Sequence, residues 1–167
     1  DTTWSDKLMA WGKLGSDTLT GTNVNMTTGA FTQKKFMNIL YYSIPTSSMV
    51  PVWSFNNDSG TEYAARDSRN GASDSLNTSG GGHNMAPAMP DSTPSFVVMY
   101  QNNIATEEKL TIAFICFQNT AGAGSAPQRV EFTGKYTETT NPITDMDSTA
   151  NTSTFAIDSN LSAFGTD

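Results

Sequence analysis

Short stretches of strand-forming residues, separated by turn-forming residues, follow one another along almost the whole chain. The stretch 128–136 alternates apolar with polar or charged residues, which is typical of a strand buried on one face only. The stretch 109–118 is apolar on both faces and is the best candidate for a core strand. Helical periodicity is nearly absent. The pattern predicts an all-β fold of about eight to ten short antiparallel strands, a β-sandwich or jelly roll.

The segment 55–66, with the sequence FNNDSGTEYAAR, is the clearest turn of the chain. The side chains of Asn, Asp and Ser hydrogen-bond to their own backbone in tight turns, and Gly60 can supply a positive φ. An apolar stretch ends at Phe55, and a second strand-like stretch begins at Glu62. The segment is therefore predicted to be the turn of a β-hairpin.

The length of 167 residues and the apolar fraction of 37% suit one domain with its own hydrophobic core. We expect residues 1–10 to be an N-terminal arm that reaches a neighbouring subunit, and residues 11–167 to form a single β-sandwich domain. The stretch 70–94 contains three adjacent glycines and almost no bulky apolar residue. It is predicted to be a long loop.

The balance of charge argues against two classes of partner. The chain has 9 Lys and Arg against 16 Asp and Glu, a net charge of −7, and its basic residues are scattered. Nucleic-acid binding needs clustered Lys and Arg that displace phosphate counterions, so we do not expect it. No stretch is long and apolar enough for a membrane-spanning helix, so no membrane partner is expected either.

Residues suited to catalysis are few and isolated. The one histidine, His83, follows three glycines in the predicted loop, where we expect it to be solvated rather than held in place. The one cysteine, Cys116, lies in an apolar strand, where a lone cysteine is typically a small buried residue. We find no phosphate-binding loop, nucleophile elbow or metal-ligand spacing. The protein is predicted not to be an enzyme, with no catalytic residue and no cofactor.

Two oxygen-rich turns are weak candidates for a calcium site, since calcium prefers carboxylate and carbonyl ligands in loops. One turn contains Asp58, and the other contains Asp145 and Asp147. Turn formation alone explains both sets of residues, so calcium stays the lesser interpretation.

Aromatic residues suggest contacts of another kind. Glycan-binding sandwich modules place an exposed ring beside polar groups, and Trp53, Tyr63, Tyr42 and Arg66 could supply these. The alternative is that the rings of Trp53 and Tyr63 belong to the core or to a contact between subunits. Near the start of the chain, Trp4 and Trp11 are candidates for burial between subunits.

Three features, taken in order along the chain, resemble small structural proteins of marine bacteriophages and related environmental viruses. They are Trp11-Gly12-Lys13-Leu14-Gly15 followed by Lys34-Lys35-Phe36, the segment 55–66 with the pattern FNNDSG-x-x-Y-x-x-R, and the closing stretch 155–165. The resemblance implies a jelly-roll β-sandwich that serves in the virion as a capsid, capsid-decoration or tail-fibre component. It implies copies of the chain and other virion proteins as partners.

The leading hypothesis is therefore a non-enzymatic virion structural protein that acts through self-assembly as a homo-oligomer. The alternative is a glycan-binding receptor-recognition module, either on a phage tail or as a secreted lectin-like domain, with a host-surface glycan as its partner.

Overall fold

The computed structural model describes residues 10–85, 88–118 and 120–167, which form twelve β-strands and no helix. The strands are β1 (Gly12–Thr18), β2 (Asn25–Thr27), β3 (Phe36–Ser43), β4 (Pro51–Phe55), β5 (Tyr63–Arg69), β6 (Ser75–Gly80), β7 (His83–Asn84), β8 (Ser95–Asn102), β9 (Lys109–Phe117), β10 (Gln128–Tyr136), β11 (Met146–Ala150) and β12 (Asn160–Thr166). The all-β prediction is confirmed, with more strands than the eight to ten expected.

The strands form two antiparallel sheets. The large sheet has eight strands in the order β1-β12-β3-β8-β9-β10-β5-β6, and the small sheet has four in the order β2-β11-β4-β7. Every pairing between these strands is antiparallel. The arrangement is consistent with a β-sandwich. In the part of the chain that the structure describes, no helix is long and apolar enough to cross a membrane.

Aromatic side chains from both sheets meet in the core. The ring of Tyr41 on β3 packs edge-on against Trp53 on β4, with the ring centres 5.0 Å apart, and also contacts Phe155. Ser148 of β11 donates a hydrogen bond of 3.1 Å to the Tyr41 hydroxyl. Burial nevertheless raises the pKa of Tyr41 to about 12. The inward residues of both sheets thus form one shared core.

The predicted hairpin at 55–66 is wrong. Strand β4 lies in the small sheet and β5 in the large sheet, so the segment crosses between the sheets. Asn56 and Asn57 adopt positive φ values of 55°, whereas Gly60 does not. The Asn56 side chain accepts a hydrogen bond from the Thr144 amide and donates one to the Pro142 carbonyl. The turn-forming residues do reverse the chain, but Asn56 and Asn57 bond to the segment before β11, and Asp58 bonds to Tyr136 of β10.

Strands also occur in the stretch for which a long loop is predicted. Strand β6 pairs with β5 at the edge of the large sheet, and β7 pairs with β4 at the edge of the small sheet. Met85 and Met89 are buried, and Met89 pairs through its backbone with Met49. The expectation of a loop throughout 70–94 is therefore corrected. Residues 1–9 of the expected N-terminal arm lie outside the described residues.

Candidate interaction surface

Three neighbouring strands of the large sheet, β3, β8 and β9, expose apolar side chains on the face turned away from the core. On β9, the residues Leu110, Ile112 and Phe114 leave 59%, 54% and 59% of their surface exposed. Single exposed apolar residues are common, but a contiguous group of large ones marks an interaction site.

The strand register places these side chains in rows across the sheet. Leu40, Val98 and Phe114 lie side by side on the three strands, because β8 pairs residue by residue with both β3 and β9. Trp11 joins the group by packing its ring on Tyr100, with the ring centres 6.5 Å apart. We name this surface the apolar face; it consists of Trp11, Phe36, Leu40, Tyr42, Phe96, Val98, Tyr100, Leu110, Ile112, Phe114 and Cys116.

The next strand, β10, forms a charged border to the apolar face. Its outward residues Arg129, Glu131 and Lys135 lie beside the outward residues of β9. Lys135 forms an ion pair of 3.0 Å with Glu108, and Arg129 lies 3.9 Å from Glu131. These pairs are exposed to solvent and contribute little to folding stability. These ion pairs mark where the apolar face ends.

The outer face of the small sheet is polar. Its outward positions carry side chains such as Asn25, Ser54, Thr149 and Asn84. Thr149 donates a hydrogen bond of 3.0 Å to the Asn25 side chain across the strand pair. This is the ordinary alternation of a sheet that is buried on one side only.

Two aromatic residues proposed for glycan or subunit contact, Trp53 and Tyr63, are core residues, with 0% and 1% of their surface exposed. The Tyr63 hydroxyl accepts a hydrogen bond from the Phe55 amide and donates one to the Asp58 carbonyl. Burial raises the pKa of Tyr63. Neither ring is available to stack on a sugar in this conformation.

The other candidates for contact residues are more accessible. Arg66 is exposed on β5 and forms an ion pair of 2.7 Å with Asp74. Trp11 is 44% exposed and belongs to the apolar face. Trp4 lies outside the described residues. Of the six candidates, the structure places Trp11 and Tyr42 on the apolar face, Tyr42 being 37% exposed.

The carboxylates considered for calcium are engaged with donors from the protein itself. Asp58 accepts hydrogen bonds from the Tyr136 hydroxyl and the Gly60 amide. Asp145 accepts hydrogen bonds from the side chains of Thr27 and Asn57.

The third candidate, Asp147, has a pKa raised by its burial and, to a smaller extent, by the charge of Asp145. Asn25 donates a weak hydrogen bond of 3.4 Å to one of its oxygens. Among the described residues, no group of three or more His, Cys, Asp or Glu side chains is arranged to hold a metal ion.

His83 is buried rather than solvated, which corrects the prediction. It lies on β7, has 0% of its surface exposed and packs edge-on against the rings of Phe55, Tyr63 and Phe132 at 5.2 to 5.8 Å. Its ring nitrogens have no hydrogen-bond partner within the described residues. Burial lowers the pKa of His83 to about 4, so the ring is neutral near pH 7. It acts as a packing residue between the sheets.

The burial predicted for Cys116 is wrong, because the side chain is exposed. It lies on the outer face of β9, between Phe96 on β8 and Arg129 on β10. Since β9 is apolar on both faces, its sequence could not show which alternate positions point inward.

The sequence does contain the signal for the apolar face, but that signal led to the expectation of strands covered on both sides. The stretches 36–44, 95–101 and 109–118 are apolar at both odd and even positions, which predicts strands covered on both sides. Within the described part of the chain, the small sheet and the adjoining loops cover the inner side of these strands and leave the outer side exposed. The second apolar side is the exposed surface described above.

Comparison with known proteins adds little to this description. No family model matches the sequence, and no curated protein matches it. The solved structure of the protein of unknown function SO2946 from Shewanella oneidensis MR-1 aligns at 8% sequence identity, over 99% of this chain and 84% of that chain, with a TM-score of 0.26. A likeness of this degree carries no argument, so the surface has to be interpreted from its own chemistry.

Proposed function

We propose that the protein is a non-enzymatic structural component of a virion, built on a jelly roll, that works by assembling with copies of itself. The observation that carries the proposal is the apolar face. Leaving so many large apolar side chains in water is unfavourable, at roughly 25 cal/mol for each Å² of apolar surface. A protein that keeps such a face benefits from a partner that covers it.

The pairing of eight strands supports the jelly roll. In chain order these are β1, β2, β3, β4, β7, β8, β11 and β12. The first pairs with the last, the second with the seventh, the third with the sixth and the fourth with the fifth. A long hairpin rolled into two sheets has this pattern of pairing. The remaining strands, β5, β6, β9 and β10, extend the large sheet beyond β8.

The virion setting is supported by the resemblance in the segment 55–66, and jelly rolls are common in viral capsids. The segment joins the fourth strand of the jelly roll to the additional strand β5. Its side chains hold the crossing between the sheets, through the hydrogen bonds of Asn56 and of Asp58. The segment therefore serves as a structural connection.

The polar side chains of one cleft support a non-enzymatic role. This cleft, of about 440 Å³, is lined by residues that include Asp58, Tyr136 and Glu138. Asp58 holds the Tyr136 hydroxyl at 2.9 Å. Glu138 accepts hydrogen bonds from Thr140 and Asn141, which lower its pKa to about 2. A carboxylate with so low a pKa is a poor general base, and its hydrogen bonds define a turn.

A glycan-binding module is the second candidate, and the exposed ring pair of Trp11 and Tyr100 favours it. Such rings could stack on the C–H face of a sugar. The nearby amides are already occupied, however, because Asn38 donates to the Met99 carbonyl and Asn102 bonds to the backbone of Glu108 and Leu110. Few polar groups remain there to select sugar hydroxyls, so assembly ranks first.

The test is the native mass of the purified full chain between about 1 and 100 μM, a range in which a micromolar contact changes occupancy. We expect a species of at least two copies, and labelling of virus particles by an antibody to the chain in electron micrographs. A monomer throughout the range would refute self-assembly. Binding to a glycan array that is lost on Trp11→Ala would then favour the second candidate.

A further inference from the structure

We infer that the apolar face binds the apolar face of a second copy in an isologous contact, the two copies being related by a two-fold axis. The inference rests on the proposed function, because it names the surface and the geometry by which the chain self-assembles. It commits to one occupant for the face, a second copy of this chain.

The first argument is the scarcity of matching surfaces. Within residues 10–85, 88–118 and 120–167, the other exposed large apolar side chains lie on four separate segments, and one of them, Leu76, lines a groove with Leu110 at the border of the apolar face. They are Val24, Leu76, Ile104 and Ile157. The outer face of the small sheet is polar and would lose hydrogen bonds to water if it were covered by apolar groups. Among the described residues, the surface on a second copy that best matches the apolar face is the apolar face itself.

The second argument is size. Neighbouring strands lie about 4.8 Å apart, and successive outward residues on one strand lie roughly 6.8 Å apart. The three apolar strands and one bordering strand on each side make five strands, which together are about 24 Å wide. Each strand contributes four outward residues, which together span about 27 Å along the strand. The resulting ~650 Å² of projected surface approaches the ~800 Å² per partner of a standard stable interface. One isologous contact is therefore large enough to hold a dimer.

The third argument is charge. The chain as a whole carries a net charge of −7. The apolar face and its borders carry a nearly balanced set of charges, namely Lys13, Arg129 and Lys135 against Glu108 and Glu131. The excess negative charge consequently lies on the rest of the molecule. Two copies that meet through the apolar face avoid the repulsion that their other surfaces would produce.

The two-fold geometry has a consequence for assembly. An isologous contact uses the same patch on both copies, so it closes at two chains and cannot grow into a filament. A larger particle would then be built from these dimers through other contacts. The dimer is the unit that we expect in dilute solution.

The test uses opposite charges at one position. Phe114→Glu and Phe114→Lys should each weaken self-association at least about 100-fold, because each places like charges in the contact. An equimolar mixture of the two variants should recover dimers, with one copy of each. The readouts are sedimentation velocity for mass and native mass spectrometry for composition. Val24→Glu is the matched control, because Val24 is 51% exposed and its carbonyl bonds to the amide of Ala150 on the small sheet, away from the apolar face.

Each outcome has a distinct meaning. A wild-type chain that stays monomeric refutes both the proposed function and the isologous contact. Oligomers that persist in both Phe114 variants refute the contact but leave self-assembly standing. Variants that become monomeric and fail to pair on mixing refute a contact in which the two Phe114 side chains face each other. Wild-type oligomers of more than two chains that both substitutions dissociate refute the two-fold contact and show that the apolar face binds a different surface. Circular dichroism verifies folding, and if either variant is unfolded the pair Ile112→Glu and Ile112→Lys replaces it, since Ile112 is also exposed.

Discussion

The outer faces of the two sheets differ in kind, although their inner faces share one core. On β11 of the small sheet, Ser148 points inward and bonds to Tyr41, while Thr149 points outward and is exposed. On β9 of the large sheet, Ala113 is buried and its neighbours Ile112 and Phe114 are apolar and exposed. The small sheet follows the alternation expected of a two-sheet protein, and the large sheet departs from it on its outer side.

The difference between the two outer faces separates the apolar residues that folding needs from those that it does not need. Covering the inner side of the large sheet requires apolar residues at alternate positions, which the core supplies. Folding places no such demand on the outer positions, and exposed apolar strands carry a risk of aggregation. The outer apolar residues are therefore best explained by an interaction. Strand β9, which lies outside the eight strands of the proposed jelly roll, contributes three of the most exposed of them.

The largest effect should come from one charge placed on each outer face in turn. Ile112→Asp puts a carboxylate into the apolar face and should raise the dissociation constant of the dimer by about 1,000-fold, or ~4 kcal/mol. Thr149→Asp puts the same group on the polar face and should leave the dissociation constant within about threefold of the wild type. Analytical ultracentrifugation over a dilution series measures both. If the two substitutions changed the dissociation constant equally, the apolar face would not be the surface that holds the dimer.

The sequence predicts the elements of this fold better than it predicts their arrangement. The strands at 36–44, 95–101, 109–118 and 128–136 are all found close to their expected positions, because periodicity and flanking turns are local signals. Whether two successive strands pair is a long-range property. The turn formers of 55–66 therefore predicted a reversal correctly and a hairpin wrongly.

The candidate site was predictable only in part. The stretch 109–118 shows that both of its faces are apolar, but it does not show which side the small sheet covers. The same ambiguity explains why Cys116 was expected to be buried, whereas the error at His83 has a different cause. Three glycines before His83 suggested mobility, yet Gly82 is buried against β4, where an added Cβ would lie 2.6 Å from a side-chain carbon of Val52. The glycines permit close packing there, and the β7 pairing depends on it.

The second-largest predicted effect is a loss of folding stability at low pH. It arises at the inner faces, where His83 of the small sheet packs on Phe132 of the large sheet. Burial lowers the pKa of His83 in the folded protein to about 4, from the ordinary histidine value of 6.5. The neutral ring is thus favoured by folding. The stability it contributes is complete above about pH 6.5 and is lost as the pH falls towards 4, by about 3 kcal/mol in total. Urea unfolding at a series of pH values measures the loss.

The control for this effect is His83→Phe, which keeps an aromatic ring but cannot titrate. Its free energy of unfolding should lack the part of the pH dependence due to His83, while the part due to carboxylates stays the same in both proteins. Parallel pH profiles for wild type and variant would show that His83 is not held neutral between the sheets. This titration probes the inner faces, because His83 lies between the two sheets.

A smaller effect is expected in the reactivity of a thiol on each outer face. Cys116 lies on the apolar face and is exposed in the single chain. Its reaction with a maleimide should slow about tenfold as the protein concentration rises through the dissociation constant, because the dimer covers it. In a Cys116→Ser background, Thr149→Cys should react at one rate at all concentrations. A constant rate for Cys116 in a protein that is demonstrably dimeric would place the contact elsewhere.

The smallest effect should come from the charged border of the apolar face. The ion pair between Lys135 and Glu108 spans 3.0 Å, but both side chains are more than 40% exposed. An exposed pair of this kind contributes less than about 1 kcal/mol, so Lys135→Gln should change the dissociation constant by less than roughly fivefold. Added salt should weaken the wild-type dimer only slightly, since burial of apolar surface is not screened by ions. If Lys135→Gln instead had a larger effect than Ile112→Asp, the charged border would be what holds the copies together. The contrast between the two outer faces would then be one of charge rather than of apolar surface.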